Sequence, residues 1–82
     1  MSMIELFYSP VCPHCPYARE LMNKYKTDNP GFDYVEVNTY TEEGIERGMS
    51  LKVMSVPCVV VDDTITLVGW PFTAEDLDKI YK

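Results

Sequence analysis

Eighty-two residues suffice for one small domain and leave no room for two. Hydrophobic residues at 46% and charged residues at 24% argue against a disordered tail or a low-complexity segment. A formal charge of −6, from 13 acidic and 7 basic residues, argues against non-specific nucleic-acid binding, which needs a Lys/Arg patch to neutralise phosphates.

In chain order, residues 3–8 are apolar and aromatic, stop at Ser9-Pro10, and read as a strand followed by a loop. Residues 13–27 carry Tyr17, Ala18, Leu21, Met22 and Tyr25 at helical spacing, with Pro13 and Pro16 in the first turn and Asn29-Pro30-Gly31 as a stop. Residues 32–37 alternate apolar and acidic, which predicts a strand with one buried face. Thr41, Glu43, Ile45, Met49 and Leu51 predict a short helix weakened by Gly44 and Gly48. Cys58 to Val61, an acidic turn at Asp62-Asp63, and Thr64 to Val68 predict a hairpin. Thr73 to Tyr81 reads as a last helix with Thr73 as its N-cap. The order β-α-β-α-β-β-α predicts an α/β fold. Its first βαβ unit gives parallel strands joined by a right-handed crossover, and its final hairpin gives an antiparallel pair. Together they make a four-stranded mixed sheet with three flanking helices.

A core this small is marginal, burying a little over roughly 60% of the unfolded surface. Three cysteines are an odd number, and Cys12 and Cys15 lie too close in sequence to staple distant parts. The pair therefore points to chemistry. Cys12-Pro13-His14-Cys15 follows a strand and opens a helix, where backbone N–H groups and the helix dipole stabilise a thiolate. A thiolate attacks a disulfide sulfur. Cys12 at the helix tip fits the nucleophile, and Cys15, one turn further in, the resolving thiol. Pro13 stiffens the turn, and His14 can carry positive charge beside Cys12, which makes the disulfide a stronger oxidant. A zinc site needs four ligands, and this motif offers two thiols and one histidine. Cys58 reads as a small core residue, or more sharply as an auxiliary thiol. Val11, Pro13, Trp70 and Phe72 are expected to form an exposed apolar rim around Cys12, with Tyr8 and Tyr17 flanking the site or packing the sheet.

Three features together resemble the thioredoxin/glutaredoxin superfamily: Cys12-Pro13-His14-Cys15 after the first strand, Val56-Pro57 before the third, and Gly69 after the fourth. The likeness spans residues 1–82 as a single domain. It is strongest to the small glutaredoxin-like thioredoxins of archaea, with similarity also to the redoxins of ribonucleotide reductase. The resemblance implies that Pro57 is cis and packs against the active pair. It also implies that the Val56 backbone binds an incoming peptide by strand addition, and that Gly69 lets backbone approach the site, with Trp70 beside it. Longer members carry a buried aspartate six residues before the nucleophile; Leu6 stands there, so the Cys15 proton must be handled elsewhere, as by solvent.

The expected activity is that of a dithiol carrier reducing protein disulfides, with no cofactor beyond the Cys12–Cys15 disulfide. Its expected partners are an upstream flavin- or ferredoxin-linked reductase and protein clients, ribonucleotide reductase among them. Alternatives are a glutaredoxin using glutathione, or an iron–sulfur or metal-binding module. Trp70 in place of a second glycine weighs against glutathione. No apolar run approaches the roughly 20 residues of a membrane span, and Met1 to Tyr8 lacks a signal-peptide pattern. A cytoplasmic monomer that contacts neither membrane nor nucleic acid is expected, with the acidic charge favouring basic partner surfaces in a salt-sensitive way.

Overall fold

The computed structural model of the chain describes residues 3–81. It contains β1 (Ile4–Tyr8), α1 (Cys15–Asp28), β2 (Val35–Asn38), α2 (Glu42–Leu51), β3 (Cys58–Val61), β4 (Thr64–Val68) and α3 (Ala74–Tyr81). The sheet order is β2-β1-β3-β4, with β1 parallel to β2 and antiparallel to β3, and β3 antiparallel to β4. This is the expected mixed sheet with three helices. No helix among the described residues is long and apolar enough to cross a membrane.

Alternation along β1 divides the core in two. Ile4 and Leu6 join Ala18, Met22 and Tyr25 of α1 and Leu77 of α3 in one cluster. Phe7 joins Cys58 and Val60 in a second, against which Leu51 of α2 packs. β4 serves both clusters through an irregularity. Val59 pairs with Leu67 but Val60 pairs with Ile65, so Thr66 is an extra residue on β4. Strict alternation would send Ile65 and Leu67 to one side; the bulge sends Leu67 to the first cluster and Ile65 to the second. The β3–β4 turn places Asp62 and Asp63 at φ 49° and 65°, the left-handed pair that a two-residue hairpin turn requires.

The helix ends are locally determined. Thr41 caps α2 by accepting from the Gly44 N–H at 3.0 Å. Gly44 is there for space: a Cβ would stand 1.7 Å from the Asn38 carbonyl oxygen at the end of β2. Thr73 and Asp76 exchange bonds across the start of α3, the Thr73 N–H donating to Asp76 Oδ2 at 2.9 Å and the Asp76 N–H to Thr73 Oγ1 at 3.4 Å. The Tyr25 hydroxyl donates to Asp78, tying α1 to α3.

Three expectations are corrected. α1 begins at Cys15 with His14 as its N-cap, not at residue 13, so Cys12 sits in the turn before the helix. β2 begins at Val35 rather than 32. The Asp33 carboxylate takes the Tyr34 N–H at 2.9 Å, the Phe32 N–H bonds back to the Asn29 carbonyl at 2.8 Å, and ladder pairing starts only at Glu5–Val35. In consequence Phe32 is buried ahead of the strand, while Val35 within it is exposed. Phe72 is not part of an exposed rim: it is 5% exposed and packs in the first core cluster, edge-on to Trp70.

Candidate active site

Ser9 organises the loop between β1 and α1. Its carbonyl accepts from the Cys12 N–H at 3.2 Å, its hydroxyl accepts from the Val11 N–H at 3.2 Å, and its own N–H donates to Cys15 Sγ at 3.4 Å. One buried residue thus fixes the turn and both cysteines. In the sequence Ser9 marks only the end of a strand; the Ser9-Pro10 step is the signal of its turn role, because serine side chains bond nearby backbone in turns. Pro13 and Pro16 have no N–H, which leaves His14 and Cys15 to supply amide donors at the start of α1. No acidic residue occupies the first turn of α1.

The two thiols differ in environment. Cys12 is half-buried, and its Sγ–H donates to the Val56 carbonyl at 3.7 Å. Cys15 is 1% exposed. Burial pushes the Cys15 thiol up to about 11, a hydrogen bond with Cys12 adds to this, and the Ser9 N–H and the Arg19 charge partly offset it. Cys15 therefore holds its proton at neutral pH.

A pH dependence of stability follows. A thiol in an unfolded chain ionises near 9.0, and the folded Cys15 only near 11, so between these values the folded state holds the extra proton. This contribution is full below the lower value and is lost as pH rises through the upper one. Tyr25 and Tyr34, both pushed to about 12 mainly by burial, act in the same direction at still higher pH. The urea midpoint of the reduced protein is expected to fall between about pH 8 and about pH 10.5. That of the Cys12–Cys15 disulfide form is expected to fall less. Equal falls in the two forms would refute the assignment to Cys15.

The peptide Val56-Pro57 is cis, as the resemblance implies, and so is Trp70-Pro71. Pro57 is fully buried, and its carbonyl accepts from the Gly69 N–H at 2.7 Å, which brings the Gly69-Trp70 segment beside it. A Cβ at Gly69 would meet nothing of this chain within 4 Å, and the residue's left-handed φ of 79° is a conformation that favours glycine. Trp70 is half-buried against the first core cluster and stacks on the exposed Tyr17 ring at 6.4 Å between centroids. Tyr8 lies under Arg19, whose guanidinium carbon stands 4.6 Å above the ring. Cys58 is 1% exposed between Phe7 and Val60, and burial raises its thiol, so it packs the core as a closed-off residue. Among the described residues, no group of three or more His, Cys, Asp or Glu side chains is placed to hold a metal ion.

A groove of about 490 Å³ opens beside Cys12, lined in part by Val11, Tyr40, Val53, Met54 and Val56. Val11, Tyr40 and Met54 are exposed apolar side chains, Met54 at 91%. Of the expected rim residues Val11, Pro13, Trp70 and Phe72, only Val11 lines this groove; Tyr40, Val53, Met54 and Val56 supply the rest of its apolar side.

The family model of the thioredoxin domain matches residues 2–82. A thioredoxin of Methanocaldococcus jannaschii is 36% identical over 80 residues, which cover 96% of this chain and 91% of that protein. A probable thioredoxin of Archaeoglobus fulgidus is 31% identical over 75 residues, covering 92% of this chain and 81% of the other. The crystal structure of thioredoxin O2 from Arabidopsis thaliana matches with a TM-score of 0.75 over 98% of this chain and 71% of that one; at 12% identity it speaks for the fold alone. With its fold and its sequence relatives in agreement, the chain belongs to the thioredoxin family and is a thioredoxin-type thiol–disulfide oxidoreductase.

Proposed function

We propose that the protein is a dithiol reductant of protein disulfides, with Cys12 as nucleophile and Cys15 as resolving thiol. The observation that carries this reading is the contrast within the pair: a half-buried Cys12 at the mouth of an apolar groove, and a buried Cys15 that keeps its proton. Cys12 attacks one sulfur of a client disulfide, forming a mixed disulfide and releasing the first client thiolate. Cys15 then loses its proton and attacks Cys12 Sγ. The Cys12–Cys15 bond forms, the bond to the client breaks, and the second client thiolate leaves. Two electrons pass from the dithiol to the client, and an upstream reductase returns them.

Docking by strand addition suits the Val56 backbone. Val56 precedes β3, and its carbonyl faces the Cys12 sulfur rather than a neighbouring strand. Apolar side chains flanking the client cysteine fit the groove of Val11, Tyr40 and Met54. Pro13 and His14 set how readily the pair is oxidised, Pro13 by stiffening the turn and His14 from its place at the N-cap between the two cysteines. Pro57 and Gly69 hold the Val56 loop and the Trp70 loop together through the 2.7 Å bond between them.

Insulin reduction tests the reading. Wild-type protein with a recycling reductant is expected to precipitate the insulin B chain well above the background of the reductant alone. Cys12→Ser is expected to return the rate to that background. Full activity in Cys12→Ser would sink the assignment.

A further inference from the structure

Cys15 has an approach separate from the Cys12 groove. A cleft of about 280 Å³ reaches it between Tyr8, Ser9, Pro10, Pro16, Arg19 and Asn38. Arg19 follows Cys15 by four residues on α1, so the two share one face of the helix. The Arg19 guanidinium is held there from two sides, by Glu36 of β2 at 3.0 Å and by the Tyr8 ring of β1 at 4.6 Å. Leu6, fully buried on β1, offers no proton acceptor.

We propose that this cleft is the proton exit for the resolving step, and that Arg19 is a positioning residue that stabilises the Cys15 thiolate formed there. The inference rests on Cys15 being the resolving thiol. In the mixed disulfide, the Cys15 S–H gives its proton to solvent in the cleft. The thiolate attacks Cys12 Sγ, the Cys12–client S–S bond breaks, and the departing client sulfur is protonated by solvent. No other oxidant or reductant is needed. The groups that face Cys15 are the Ser9 N–H from the end of β1, Cys12 from the loop and Arg19 from α1; Tyr8, and Glu36 and Asn38 of β2, line the cleft or hold Arg19. Arg19 is the one positive charge in this set. Its field lowers the cost of ionising a thiol that burial otherwise keeps protonated.

A chromogenic aryl disulfide, dithiobis(nitrobenzoate), separates the two chemical steps. Attack by Cys12 releases one nitrothiolate at a rate proportional to reagent. Resolution by Cys15 releases a second at a rate independent of reagent. In Arg19→Met and Arg19→Gln the second phase is expected to slow about three- to tenfold near neutral pH, and its pH profile to move to higher pH. Arg19→Lys is expected to recover most of the rate, because it keeps the charge. An unchanged second phase and pH profile in both neutral variants would overturn the proposal. So would equal slowing in Arg19→Lys, which would make shape rather than charge the cause. Release of only one nitrothiolate by the wild type is a different failure: it would refute the dithiol reading itself.

Discussion

Cys15→Ser is expected to turn a reductant that cycles into a trap that holds its clients. Cys12 keeps its place in this variant, because its N–H bond to the Ser9 carbonyl and its contact with the Val56 carbonyl do not involve Cys15. The first exchange therefore proceeds. The second does not, because the mixed disulfide can be opened only by a thiol from solution. An intramolecular thiol acts at an effective concentration far above that of any added reductant, so turnover is expected to fall at least about 100-fold. Intact-mass measurement after mixing with an oxidised client should show the protein plus one client chain as the dominant species. Cys58 provides an internal check. It is 1% exposed in the second core cluster, so adding Cys58→Ala to Cys15→Ser should leave the trapped fraction as it was. If Cys15→Ser turned over and the double variant did not, Cys58 would be a second resolving thiol. If both turned over at the wild-type rate, Cys15 would have no part in resolution.

The chemistry was easier to read in the sequence than its surroundings. Cys12 and Cys15 announce themselves by spacing and by their place between a strand and a helix. Pro57 and Gly69 gain meaning only from their order relative to that pair. What stayed hidden depends on contacts distant in sequence. Its position in the loop after Gly69 suggests Phe72 for the apolar rim but cannot tell that its ring is buried against Trp70 and the α1–α3 core. Strand patterning shows Thr64 to Val68 as β but cannot reveal the extra residue at Thr66, because only pairing with β3 defines a bulge. Gly44 looks like a weakness in α2 until the Asn38 carbonyl is seen where its side chain would be. Helix starts follow the same pattern. Pro13 is compatible with a first turn, yet backbone bonding to the His14 carbonyl starts the helix two residues later. The Ser9-Pro10 step signals a turn, but not that Ser9 holds both cysteines, because its three bonds depend on a loop conformation that the residue pattern alone does not fix.

Arg47→Met is expected to destabilise the protein more than any other single surface-facing change. Glu5 occupies β1, between β2 and β3, and is 3% exposed, a carboxylate in a position that residues 3–8 read as apolar. It is tolerated because Arg47 of α2 grips it with two bonds, Nε to Oε2 at 3.0 Å and Nη2 to Oε1 at 2.7 Å. The same guanidinium pairs with Asp63 in the β3–β4 turn, so one side chain joins α2, β1 and the hairpin. Removing Arg47 leaves a buried carboxylate without its partner, a change that costs far more than deleting an exposed pair. The Tm is expected to drop by on the order of 10 °C, read by circular dichroism of the reduced protein. Arg47→Lys should recover only part of this, because an ammonium cannot make the two parallel bonds. Glu5→Leu combined with Arg47→Met should recover most of it, because the buried charge is then gone and β1 regains an apolar side chain. A Tm within about 2 °C of wild type in Arg47→Met would show that solvent, reaching in past the partly exposed Arg47 site, satisfies Glu5 unaided. A double variant as unstable as the single one would show instead that Arg47 acts through its bond to Asp63, by fixing the hairpin and not by neutralising the strand.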